Sequence, residues 1–153
     1  MKPDTGYDQR MISFHDRFPE IARKETKVVT LPDVAFFGLP AGDYLFVESY
    51  CNRKLSRCDC RRVFLNVWRE DRFLATIGYG WENVDFYARW FGKSNPFYDP
   101  GLIAEIKGPI LEPGGLQSKY SKQLLNLFIS FLMDNTDFIE MLKTHYHMFK
   151  RKI

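Results

Sequence analysis

The sequence predicts an α+β fold, an antiparallel sheet of three to five strands packed against helices that come late in the chain. Three observations predict it. Residues 44–79 alternate with a period near two between short polar turns; the period lengthens to helical spacing at Trp81 and again over the last third; and a content of 45% hydrophobic and 16% aromatic residues is enough for a packed core. A chain of 153 residues is long enough for one core, since at this size about 68–70% of the unfolded surface is buried. One domain spanning 1–153 is therefore expected, with the polar, mixed stretch 1–14 as a flexible or docking arm.

After the arm, Pro19 and Glu20 near a start and Arg23 and Lys24 near an end complement a helix dipole, predicting a short helix up to Glu25. Lys27 to Leu31 reads as a strand that Pro32 stops. Tyr44 to Tyr50 sets Tyr44, Phe46, Glu48 and Tyr50 on one face against Leu45, Val47 and Ser49; Arg62 to Trp68 does the same with Val63, Leu65 and Val67. The turn Glu70-Asp71-Arg72 leads to a third strand, Phe73 to Tyr79, which completes a meander. Trp81 to Phe91 is predicted helical, with acidic residues early and Arg89 late. Prolines and glycines then mark connecting structure around a short apolar strand at Leu102 to Ile106, with Gly114-Gly115 as a turn. Ser118 to Met133 carries an apolar stripe so wide that the helix should be largely buried, and a last helix from about Asp137 places Phe138, Leu142, His145 and Phe149 on one face.

All the cysteines, Cys51, Cys58 and Cys60, fall within ten residues. The N-terminal segment lacks the apolar run of a signal peptide, so a reducing cytoplasm is expected, where such thiols stay free or bind metal. Thiolate-rich sets suit zinc, which takes four ligands in a tetrahedron. The spacing makes Cys51 the end of one strand and places Cys58 and Cys60 at the start of the next, with irregular backbone at Asp59 because a straight strand would hold Cys58 and Cys60 too far apart. For the fourth ligand His145 is preferred, because it shares the apolar stripe of the last helix; His147 on the other face, His15, water or Asp59 are the alternatives. A structural zinc site of Cys51, Cys58, Cys60 and His145 would pin the last helix to the sheet, within a binding or adaptor protein.

Two readings from other classes compete. Cys58 and Cys60, flanked by Arg57, Arg61 and Arg62, could act as reactive thiols in a thiol- or metal-dependent enzyme. Alternatively Arg53, Lys54, Arg57, Arg61 and Arg62, with Tyr50, Trp68 and Tyr79 for stacking, could contact an anion or a nucleic acid. The net charge of +3 is too small to select a polyanionic partner by itself. Glu48, Glu82 and Asp85 are candidates for acid–base work only if the fold brings them together. Walker A, G-x-S-x-G and H-E-x-x-H patterns are absent from the sequence, and no window approaches the roughly 18 apolar residues of a membrane span.

The order Tyr50-Cys51, Cys58-Asp59-Cys60-Arg61-Arg62, Gly78-Tyr79-Gly80-Trp81, Gln117-Ser118 and His145-Tyr146 resembles a family of small uncharacterised bacterial proteins. The resemblance spans most of the chain after about Glu20, and its distinctive part is the Cys-Asp-Cys-Arg-Arg segment. It implies no particular activity and assigns no site.

Overall fold

In the computed structural model, which describes residues 11–32, 36–93 and 95–153, the chain begins with β1 (Met11–Ser13), α1 (Phe14–Arg17), α2 (Pro19–Glu25) and β2 (Lys27–Leu31). The meander follows as β3 (Gly42–Cys51), β4 (Arg62–Arg69) and β5 (Arg72–Gly80), and then α3 (Val84–Gly92), α4 (Gly101–Lys107), β6 (Ile110–Leu111), α5 (Ser121–Leu127) and α6 (Thr136–Arg151). The sheet is antiparallel, in the order β1-β3-β4-β5-β6, and β2 lies beside β1 on the same edge of β3. β1 pairs with the end of β3, setting Met11 opposite Cys51, while β2 pairs with its beginning. The α+β class and the antiparallel sheet against C-terminal helices are as the periodicity predicts, and the described residues form six strands because two very short ones extend the edges.

Register fixes two unlike faces. Phe46 and Glu48 of β3 lie opposite Val67 and Leu65 of β4, and Leu65 lies opposite Ile77 of β5. This face carries the main core: Tyr50 packs on Phe149 of α6 at 5.7 Å and Tyr79 on Phe128 at 5.2 Å. On the other face Asn66 donates to Ser49 and accepts from Thr76, each at 3.2 Å, so its polar groups are satisfied within the sheet. Gly78 and Gly80, two apart on β5, share that face, and both are glycine because other groups lie directly over them. A Cβ on Gly78 would come within 2.0 Å of the Glu112 carboxylate, and one on Gly80 within 2.2 Å of the Tyr87 hydroxyl.

Of the stretch 1–14, residues 1–10 lie outside the described residues, while Met11–Ser13 are in the sheet and Phe14 is fully buried. Two expectations need correction. Leu102 to Ile106 is helical (α4), because Pro100 sits at φ −55°, suited to a helix start, and only Ile103 of its apolar residues is buried while Leu102 is exposed. The strand is the pair that follows, β6. Finally, α5 continues into a π-helical turn over Phe128–Leu132, where the Met133 N–H reaches back to Phe128 O at 2.9 Å. The extra residue keeps Leu127, Phe128 and Leu132 inside but turns Ile129 and Phe131 outward, so the wide apolar stripe is only partly buried.

Candidate metal centre and adjoining cavity

Cys51 ends β3, and the chain then turns back on itself, because the N–H groups of Arg57 and Cys58 both donate to Lys54 O, at 2.8 and 2.9 Å. That turn returns Cys58 to Cys51. The Sγ atoms of Cys51, Cys58 and Cys60 all lie within 4.8 Å of one another, and all three are free thiols, Cys51 and Cys60 buried and Cys58 half-buried. Three ligand atoms so placed can hold a metal ion. The backbone is irregular as expected, but the strand resumes only at Arg62, so Cys58 and Cys60 precede β4, and the left-handed residue is Arg61, at φ 47°.

A left-handed arginine costs roughly 1 kcal/mol or more and persists only when its surroundings hold it. Here two tyrosines do so. The Tyr87 hydroxyl donates to Arg61 O at 2.7 Å, and the Arg61 N–H donates to the Tyr146 hydroxyl at 3.2 Å. Tyr146 in turn donates to Asp59 Oδ1 at 2.8 Å, and Arg61 donates to Asp59 Oδ2 and stacks over Phe86. Beneath the loop, Lys150 is 4% exposed, and its ammonium donates to Arg53 O at 2.7 Å and Cys58 O at 2.9 Å. The last helix is thus tied to the cysteine loop by Tyr146 and Lys150, two residues that helical spacing sets four apart on one face.

Contact among the three sulfurs moves their pKa values in opposite directions. The S–H groups of Cys58 and Cys60 donate to Cys51 and hold it far below the ordinary thiol range, against the effect of burial and with help from the Lys150 ammonium and the Arg53 N–H. Conversely, bonding to Cys51 pushes the Cys58 and Cys60 thiols up, and burial adds to the rise. Burial alone would raise the Asp59 carboxyl, but Arg61 and Tyr146 outweigh it and bring it below the usual value.

A cavity of about 380 Å³ borders the trio. Cys51, Cys58 and Cys60 form one wall, Arg53, Arg57 and Arg62 supply charge, and Phe64, Trp90 and Phe91 supply an apolar surface, with Met11 and Asn95 at the edges. Arg62 donates to Glu112 at 2.8 Å, and its Nε is buried with no hydrogen-bond partner among the described residues. Gly78, by admitting the Glu112 carboxylate, sets the position of Arg62 at the cavity.

His145 does not join the thiols. Its Nδ1 meets Glu48 Oε1 at 2.7 Å and its Nε2 meets Glu25 Oε2 at 3.2 Å, while its ring stacks on Phe14 at 4.1 Å. Strand alternation explains the separation: Glu48 and Tyr50 share the core face of β3, so Cys51 is directed to the other. The imidazole is indeed buried on the body side of α6, as helical phase predicts, but its partners are carboxylates. Glu48 also accepts from the Tyr50 hydroxyl at 2.5 Å, and that hydroxyl is shared with Leu142 O. The other candidate ligands are elsewhere too: His15 and His147 are exposed, and Asp59 is taken up by Arg61 and Tyr146.

The basic loop divides: Arg53, Lys54 and Arg57 are exposed, Arg53 and Arg57 line the cavity with Arg62, which also pairs with Glu112, and Arg61 turns away to Asp59 and Glu82. Tyr50 and Tyr79 are buried, so two of the three expected stacking residues lie inside the protein, while Trp68 is half-buried and packs on Phe73 at 5.0 Å. Nor do the acid–base candidates converge: Glu48 pairs with His145, Glu82 lies 3.7 Å from Arg61, and Asp85 is exposed in the first turn of α3. Sequence reasoning missed Lys150, Trp90 and Glu112. For Lys150 a signal existed, since it continues the stripe of Leu142 and Tyr146 at spacings of four. No helix among the described residues is long and apolar enough to cross a membrane. No family model, no curated protein and no solved structure matches the chain.

Proposed function

We propose that this is a metal-binding domain in which Cys51, Cys58 and Cys60 hold one zinc ion as thiolates and leave the fourth coordination position to the cavity. The observation that carries the reading is the mutual approach of three Sγ atoms to within 4.8 Å beside a cavity of about 380 Å³. Zinc–sulfur bonds of about 2.3 Å in a tetrahedron require sulfurs about 3.8 Å apart, so the loop need close by no more than about an ångström. Among the described residues no His, Asp or Glu belongs to the thiol group. A set of three protein ligands is the arrangement that keeps a place for an exchangeable ligand, whereas the closed set expected with His145 would serve structure alone. Binding displaces the thiol protons, and the resulting centre of charge −1 sits beside the Lys150 ammonium. A reducing, cytoplasmic setting would keep the thiols available. The resemblance to a bacterial family falls on this loop, where Asp59, Arg61 and Arg62 each hold a defined partner.

The test is metal analysis after exhaustive dialysis, joined to alkylation of the native protein by iodoacetamide. One equivalent of zinc per chain, lost in Cys58→Ser, and thiols that are protected until a chelator is added are expected. Zinc no higher than in Cys58→Ser rejects the reading. Rapid alkylation without chelator favours instead the thiol chemistry of Cys58 and Cys60.

A further inference from the structure

We propose that the cavity beside the thiols is an anion subsite for a flat organic ring bearing one carboxylate or phosphate group, the anion meeting the arginines and the ring lying against Trp90 and Phe91. The proposal builds on the metal reading but does not need the ion. The residues lining the cavity include Arg53, Arg57 and Arg62 and no Asp or Glu. Among the described residues Arg53 and Arg57 have no ion-pair or side-chain hydrogen-bond partner, and only Arg62 is paired, with Glu112.

Charge therefore accumulates in one place. Counting Arg53 and Arg57 with Lys150 beneath the loop against a zinc–trithiolate centre of −1, the surroundings retain about +2, and the same three cations face the cavity wall without the ion. An anion is favoured in either state. Guanidinium groups bind carboxylates and phosphates through paired N–H donors, which a single lysine cannot match. The lining also carries Phe64, Trp90 and Phe91, a surface that favours a flat, poorly hydrated body on the ligand. A volume of about 380 Å³ lies at the lower end of the roughly 300–1,000 Å³ typical of small-ligand pockets. It suits one or two rings.

Tryptophan fluorescence of the purified full chain, metal-free and cobalt-loaded, is titrated with benzoate, phenyl phosphate, inorganic phosphate and benzamide. Saturable changes with benzoate or phenyl phosphate are expected, absent with benzamide and weaker with inorganic phosphate. Arg57→Gln should weaken binding about tenfold or more, and Trp90→Phe should remove the signal while circular dichroism stays unchanged. The carboxylate and phosphate arms identify the preferred headgroup. Benzamide binding as well as benzoate, inorganic phosphate binding as well as phenyl phosphate, or an Arg57→Gln variant that binds normally overturns the proposal. So does a single-stranded oligonucleotide that binds when phenyl phosphate does not. Cobalt uptake without anion binding rejects the subsite alone, and anion binding without cobalt uptake rejects the metal centre alone.

Discussion

Replacing His145 by alanine removes a ring that is 1% exposed and joined to Glu48 at 2.7 Å and Glu25 at 3.2 Å. Glu48 is almost as buried, so the variant leaves a carboxylate facing the core with only the Tyr50 hydroxyl to satisfy it. Removing one partner of such a buried pair costs about 3–5 kcal/mol. The Glu25 contact adds little, because that carboxylate is half exposed, and loss of the stack on Phe14 adds about 1 kcal/mol. The expected loss is therefore about 5 kcal/mol, and with a urea dependence of about 2 kcal/mol/M the midpoint should fall by about 2.5 M. His145→Gln, which keeps a donor near Glu48, should lose about half as much. Metal stoichiometry, measured on the same folded samples, should remain that of the wild type in both variants, since the imidazole takes no part in the thiol cluster. Zinc lost from either variant while the urea midpoint stays put would refute the assignment, returning His145 to the metal.

Two further outcomes follow from the same contacts. Burial by itself would lower the His145 pKa, but Glu48 and Glu25 outweigh it, so the folded imidazole titrates above its ordinary range. A group raised on folding stabilises fully below its unfolded pKa and loses that contribution as pH rises through the folded value; the urea midpoint of wild type should accordingly fall toward that of His145→Gln as pH rises above about 6.5, and a widening gap would contradict the sign. Gly80→Ala would drive a Cβ to 2.2 Å from the Tyr87 hydroxyl, displacing the ring and leaving Arg61 O and the Glu82 N–H unpaired. Overpacking and lost hydrogen bonds together cost about 2–4 kcal/mol, and zinc affinity should drop with it because Arg61 follows Cys60; an unchanged midpoint in urea and unchanged zinc content would show that Tyr87 does not hold the loop.

Periodicity alone determined the meander from Tyr44 to Tyr79, the helices near Trp81 and at the C-terminus, and the inward phase of His145, because alternation and 3.6-residue spacing are local properties of a chain burying one face. The clustering of three thiols was likewise legible, since Cys51, Cys58 and Cys60 are separated by too few residues to travel far apart. The short apolar run 102–106 was ambiguous, and its helical state was decided by Pro100 and by which residues found cover. Only the tertiary structure decided the partners. Whether an imidazole reaches a sulfur depends on which side of the sheet each occupies, and β3 sends Glu48 toward His145 while turning Cys51 to the face where Arg62, Trp90 and Glu112 assemble from distant segments. Spacing records the direction of a side chain along its own element; what it meets there depends on how the elements are packed, through contacts that span 97 residues for His145 with Glu48 and for Lys150 with Arg53, and 120 for His145 with Glu25.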